Sequence, residues 1–384
     1  MLLSRRQRRP RPEVNGTAAV DHSDDTDNDE GADFEKGMGP RRYYYRELAA
    51  ATGNLAEENK LGSGGFGPVY RGYLAGQDRH VAVKVLSLES STQGRRQFDA
   101  EVRIISQLRH RNLVQLVGWC ESSRKQQGQG GGGALLLVYE LVPAGSLDRH
   151  LYGGGGGARL LPWPERYKAA AGLGAALAYL HEEWEQAVVH GDVKPSNLLL
   201  DPAHGAKLGD FGLARLLDHG AGPRTTRVVM GTLGYMDPDL VTTHRPGQAS
   251  DVYSFGVVLL EVACGRPAAT AAAEELPGGE EALALPEWVW ELYDRGAVME
   301  AADGRLEGEF DAWEMERVLV VGLWCSHPVP RERPSIAQAL NVLQSRDAAL
   351  PALPANPHRG AAATAGFSSY VHCLDSVGSV AEAR

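Results

Sequence analysis

A single change of period limits what this chain can fold into. Between residues 61 and 142 the sequence consists of short β-rich runs, PVYRGYL, HVAVKVL and LLLVYEL, with one amphipathic helical stretch at about 94–108. From about residue 144 onward helical patterns dominate, as in ERYKAAAGLGAALAYLHEEW and SDVYSFGVVLLEVACG. A strand buries alternate residues, whereas a helix buries a stripe that repeats every turn, so the two parts belong to different layers. The expected class is α+β: a small β-rich lobe joined to a larger helical lobe, with a cleft between them for a ligand.

Residues 1–40 are expected to be a disordered charged segment. Arg5, Arg6, Arg8, Arg9 and Arg11 cluster without an acid, and DHSDDTDNDEGADFE then carries eight acids and no Lys or Arg. Such blocks repel themselves and bury too little apolar surface to fold. The expected divisions beyond are 41–142 for the β-rich lobe with its lead-in and 143–346 for the helical lobe. A flexible tail rich in Ala, Ser and Pro is expected over 347–384. Glycine runs at 128–133 and 153–157 read as surface-loop insertions, tolerable because loop-closure entropy grows only logarithmically with length.

Composition excludes several classes. With a net charge of −10 no basic surface can dominate, which argues against nucleic acid as a partner. Cys120, Cys264, Cys325 and Cys373 are scattered without a C-x-x-C pair, as expected of reduced thiols in a cytoplasmic protein. No apolar run approaches the roughly 18 residues of a membrane span. MLLSRRQRRP has too short an apolar part for a signal peptide, and Leu2 stands where myristoylation requires glycine. HEEWE at 181–185 lacks the second histidine of a zinc-protease pair, and the sequon at Asn15 matters only in a secreted chain.

The chemistry-bearing residues fall in order along the chain. LGSGGFGPVY places Gly62, Gly64 and Gly67 in a G-x-G-x-x-G pattern that leads into another strand-like run rather than a helix. This describes a β-hairpin that lies over phosphates, where glycine lets the backbone approach without a Cβ in the way. Lys84 in VAVK supplies a point charge for the α- and β-phosphates, and Glu101 on the following helix is its expected ion-pair partner. HGDVKPSN then offers Asp192 to accept the proton of an attacking hydroxyl and Lys194 to screen the moving phosphoryl group. Asn197 and Asp210 are oxygen donors suited to Mg²⁺, with Mn²⁺ as the alternative.

Together these motifs resemble the eukaryotic protein-kinase family over roughly residues 55–345. The resemblance implies the bilobal protein-kinase fold, ATP with Mg²⁺, and transfer of the γ-phosphoryl group to protein substrates, the chain itself included. It also implies that Leu61, Ser63, Gly65, Phe66 and Val69 join the glycines above the nucleotide. Ala82 and Leu199 would then enclose the adenine, Tyr139 would stand at the gatekeeper position, and backbone groups of Glu140 and Val142 would meet the base. Asp251 matches the buried aspartate that steadies the catalytic loop. Lys194 in D-x-K-P-x-N and Thr232 in GTLGYM resemble the serine/threonine class. More narrowly, YYYRELAAATGNLAEENKLGSGGFGPVYRGYL, LRHRNLVQLVGWC and LVVGLWCSHP look like the intracellular part of plant L-type lectin receptor kinases. That likeness would put the chain on the cytosolic face of the plasma membrane, where the Arg5 cluster meets anionic lipid.

Two departures stand out. Gly191 replaces the arginine that pairs with a phosphorylated activation loop, so phosphorylation at Thr225 or Thr226 loses its main electrostatic partner. MDPDL at 236–240 stands where A-P-E is usual, so Asp239 is expected to make a strained or water-bridged pair with Arg333. The expected activity is a kinase that works without the arginine switch; the competing expectation is a pseudokinase scaffold.

Overall fold

The computed structural model describes residues 39–64, 67–86, 92–122, 134–152, 160–217, 230–268 and 283–358. Outside these lie the segment 1–38, Gly65, Phe66, both glycine runs, Thr225, Thr226 and Cys373.

The N-terminal part carries a six-stranded sheet. Its strands are β1 (Arg41–Arg42), β2 (Lys60–Gly64), β3 (Gly67–Leu74), β4 (Arg79–Leu86), β5 (Leu116–Ser122) and β6 (Ala134–Glu140), in the order β1-β5-β6-β4-β3-β2. Only the β1–β5 pair is parallel. Helix α1 (Tyr45–Ala51) covers one face and α2 (Thr92–Ile105) the other. Alternation along β4 decides which residues go where. Val81 and Val83 pack with Leu136, Val138, Cys120 and Leu48 on the α1 side. Leu86 packs with Leu135, Leu137, Tyr139 and Phe98 on the α2 side. Directly opposed residues share a face, so the pairings Val69↔Lys84, Lys84↔Leu137 and Ala82↔Tyr139 gather these side chains toward α2. Full burial of aliphatic and aromatic side chains such as Phe98, Ile104 and Ile105 stabilises by roughly 1.5–3 kcal/mol each.

The remainder is mainly helical: α3 (Leu147–Tyr152), α4 (Trp163–Ala178), α5 (Pro238–Thr243), α6 (Gln248–Cys264), α7 (Leu285–Asp294), α8 (Ala312–Cys325) and α9 (Ile336–Gln344). Four short strands, β7 (Ala187–Val189), β8 (Leu198–Leu200), β9 (Ala206–Leu208) and β10 (Arg215–Leu217), pair as β8–β9 and β7–β10. Together the sheet and the helical part form the bilobal α+β protein-kinase fold. Helix α6 is buried on nearly every side, which explains its apolar sequence. Among the described residues no helix is long and apolar enough to cross a membrane.

Residues 348–356, expected within a flexible tail, are instead packed on the helical part. Ala348, Leu350 and Leu353 lie against the core, and the backbone N–H of Asn356 donates to the Asp294 carboxylate at 3.2 Å. Arg317 secures the start of this segment by donating to the Ala348 carbonyl at 2.6 Å. Apolar residues spaced irregularly along a proline-rich stretch carry no periodic signal, so their packing partners become visible only in three dimensions.

Glycine lets α6 and α8 touch backbone to backbone. A Cβ on Gly256 would lie 2.6 Å from the Ser326 nitrogen and 2.7 Å from the Gly322 carbonyl oxygen. Gly256→Ala is therefore expected to destabilise the chain by about 1–3 kcal/mol through overpacking. A calorimetric Tm equal to that of the wild type would show that the two helices can separate freely.

Candidate active site

In the upper half, β4 and α2 bring Lys84 and Glu101 together. The Lys84 ammonium lies 3.4 Å from Glu101 Oε2 and 2.7 Å from Asp210 Oδ1. Glu101 is wholly buried, and the Tyr139 hydroxyl donates to its other oxygen. Burial alone would lower the Lys84 pKa, but the two carboxylates outweigh it and raise it. Burial pushes the Glu101 carboxyl up, against the opposing pull of Lys84. The bond from Tyr139, the expected gatekeeper, to Glu101 also fastens α2 to β6.

In the lower half, α6 holds a loop by its backbone. Asp251 accepts the N–H of His190 on Oδ2 at 2.7 Å and that of Gly191 on Oδ1 at 2.8 Å. The loop so fixed presents Asp192. Its Oδ1 accepts from the Thr232 hydroxyl at 2.7 Å, and its Oδ2 faces Lys194 Nζ at 2.7 Å. Lys194 also donates to the Thr232 oxygen at 2.6 Å, closing a triangle of three side chains. Asn197 donates its amide to the Asp192 carbonyl at 2.8 Å and to Oδ2 at 3.1 Å. Asp210 sits at φ 61°, in the left-handed region that Asp tolerates, and the turn Phe211–Leu213 follows it. His190 stacks edge-on to Phe211 and approaches the Gly209 carbonyl at 3.0 Å, tying the Asp192 loop to the Asp210 turn.

The other expected nucleotide residues are distributed around this cleft. Gly62, Ser63, Gly64, Gly67 and Val69 lie on β2 and β3, Ala82 on β4, Val142 just after β6, and Leu199 on β8. The Glu140 carboxylate accepts the Gln115 N–H at 2.9 Å and pairs with Lys207 at 3.0 Å. One contact had no sequence signal: Arg149 of α3 donates to the Leu61 carbonyl at 3.3 Å across the cleft mouth.

The expected pairing of Asp239 with Arg333 is not present. Arg333 instead holds Asp237 in a two-pronged pair, Nη1 to Oδ2 at 2.9 Å and Nη2 to Oδ1 at 2.7 Å. Asp237 precedes Pro238 as the N-cap of α5 and accepts the Asp239 N–H at 2.9 Å. An Asp followed by Pro at a helix start is a signal the sequence does contain. Nearby, Glu261 of α6 accepts from Tyr152 at 2.7 Å, Tyr235 at 2.8 Å and the Ala268 N–H at 2.6 Å. Burial raises its pKa to about 7 against those hydrogen bonds.

Among the described residues no cluster of three His, Cys, Asp or Glu side chains could hold a metal alone. The donor set nevertheless fits Mg²⁺, which is held by one or two protein oxygens plus phosphates and water. With its amide nitrogen committed to Asp192, Asn197 has its oxygen left for a cation, and the carboxylate of Asp210 is the second candidate donor.

A glycine hairpin, a lysine paired to a helical glutamate, and a buried loop carrying Asp192, Lys194 and Asn197 define a protein kinase domain. The chain matches the protein kinase domain family over residues 55–342 and belongs to it. Protein kinase domains use ATP with a divalent metal ion. The chain is 49% identical over 324 residues to L-type lectin-domain containing receptor kinase IX.1 of Arabidopsis thaliana, covering 84% of this chain and 47% of that protein. It is 46% identical over 319 residues to the L-type lectin-domain containing receptor kinase SIT1 of Oryza sativa subsp. japonica, covering 83% and 44%. It thus spans about half the length of the curated relatives it matches.

Gly191 lies at φ 80°, and a Cβ there would meet the Leu213 carbonyl at 3.2 Å. Gly191→Ala should therefore lower stability by about 1–3 kcal/mol, read as a reduced urea midpoint; an unchanged midpoint would show the loop relaxing at no cost. Glu261 gives a second expectation. Its raised pKa means that the folded chain keeps a proton which the unfolded chain, at 4.5, releases. The associated stability is complete below about pH 4.5 and is lost as pH rises through about 7. Glu261→Gln should flatten the fall in Tm across that window, and an unaltered slope would assign the fall to other groups.

Proposed function

We propose that the chain is an ATP-dependent serine/threonine protein kinase of the receptor-like type, working with Mg²⁺ and without need of activation-loop phosphorylation. The observation that carries this reading is the triangle of Asp192, Lys194 and Thr232. It holds the carboxylate in one orientation on a buried loop, where an incoming hydroxyl can donate to it.

In this reading Lys84, steadied by Glu101, holds the α- and β-phosphates of ATP beneath the β2–β3 hairpin. Asn197 and Asp210 hold the cation, which neutralises phosphate charge when bound. Asp192 orients the substrate Ser or Thr hydroxyl and takes its proton as the oxygen bonds to the γ-phosphorus. The bond from that phosphorus to the β–γ bridging oxygen breaks, and ADP leaves. Lys194 balances charge on the transferring group. Independence from the activation loop follows from Gly191: the position holds no guanidinium for a phosphate to order, while Asp251 and Thr232 fix the loop through standing hydrogen bonds. The receptor-like type, and association with the plasma membrane through the arginine cluster at 5–11, rest on the similarity to lectin-domain receptor kinases. Gly191 also suits a pseudokinase, but Lys84, Asp192 and Asp210 are all in place.

Phosphosite mapping of the recombinant chain after Mg-ATP, beside Asp192→Asn and Lys84→Met, tests the reading. Phosphoserine and phosphothreonine are expected in the wild type, with a drop of at least a hundredfold in both variants. Equal phosphate in all three, or none in the wild type despite ATP binding, would replace the kinase with a scaffold.

A further inference from the structure

We infer that Asp237, not the acid two residues later, is the positioning residue that holds the substrate-facing segment in register with Asp192. The inference rests on the kinase reading above and goes beyond it in naming what fixes that segment.

The argument starts from the guanidinium of Arg333, whose five N–H groups are all used. Nε donates to the His327 carbonyl at 2.7 Å. Nη1 donates to Asp237 Oδ2 and to the Ala249 carbonyl, both at 2.9 Å. Nη2 donates to Asp237 Oδ1 at 2.7 Å and to the Pro328 carbonyl at 3.1 Å. No donor remains for a second carboxylate. The pair is buried on both sides, with side chains 1% and 2% exposed, and the guanidinium lies 5.0 Å over the Tyr253 ring. A charge in that setting requires its partner.

Asp237 in turn collects more than the arginine. The Ser250 hydroxyl donates to it at 3.1 Å from the start of α6, and it caps α5 through the Asp239 N–H. One carboxylate therefore ties α5, α6 and the Arg333 turn together. Asp239, already inside α5, meets among the described residues only the Thr243 hydroxyl with its carboxylate, at 3.5 Å. On a helix its carboxyl is one methylene shorter than glutamate, and the neighbour at 237 has taken the site.

The link to chemistry runs along residues 232–237. Thr232 bridges Asp192 and Lys194; the Tyr235 carbonyl accepts from Ser254 at 2.7 Å; Asp237 closes the segment on Arg333. Releasing the last anchor frees the segment to shift, and Thr232 with it, while Lys84 and the glycine hairpin are untouched. The defect should appear in use of the protein substrate and spare nucleotide binding.

The test uses the full chain with dephosphorylated casein as acceptor. Asp237→Asn is expected to lower kcat/KM for casein at least tenfold, to leave the Kd for Mg-ATP within twofold, and to speed amide hydrogen exchange over residues 230–240. Asp239→Asn should stay within twofold on all three. Restoring glutamate in the double variant Asp237→Asn, Asp239→Glu should recover most of the loss, because the longer side chain can reach the vacated guanidinium. Equal or larger losses in Asp239→Asn, or no recovery in the double variant, would overturn the assignment. Should Asp237→Asn fail to fold, the double variant decides alone: a folded chain with protected 230–240 amides sustains the anchor, and an unfolded one refutes it. A wild type without transferase activity would sink the kinase reading, while the exchange measurements would still judge the anchor.

Discussion

The arrangement turns on one buried ammonium. Lys84 issues from the central strand of the sheet, and its two partners come from elsewhere: Glu101 from α2 and Asp210 from the turn after β9. Removing the lysine would leave two carboxylates facing each other in a poorly solvated space, which is why the sheet, the helix and the lower loop must meet there. Tyr139 adds a bond from β6 to the same glutamate, so the register of the sheet sets the position of α2.

Below that contact, organisation passes to a single helix. Helix α6 contributes Asp251 to the catalytic loop, Ser250 to Asp237, and Glu261 to Tyr152 and Tyr235. Each is a buried polar group in a largely apolar helix, with partners on another segment of the chain. The apolar residues of α6 pack the core while its few polar ones address the site, an economical division because the backbone of a core helix moves least.

Much of this is legible in the sequence. The change of period separated strands from helices, and the ordered motifs named Lys84, Glu101, Asp192, Lys194, Asn197 and Asp210, which the fold brings to one cleft. Long-range polar choices were harder. MDPDL offers two acids, and the resemblance to A-P-E points to Asp239 as the partner of Arg333; which acid wins depends on reach and on the competing demands of a helix cap. The packing of 348–356 escaped for a related reason, since it depends on a surface assembled from α7 and α8 rather than on its own pattern.

The sequence by itself determined the class of fold, the kinase motifs from Gly62 to Asp210 on which the proposed mechanism rests, and the glycine at 191. Those features rest on local chemistry: periodicity, glycine where backbone must approach a ligand, and charged groups at set spacings. Tertiary structure alone decided that Asp237 holds Arg333, that Tyr139 holds Glu101, and that Gly191 occupies a left-handed turn beneath Leu213. Each of those depends on distances between residues far apart in the chain or on a backbone angle, and a buried polar group takes whichever partner the packing brings within reach.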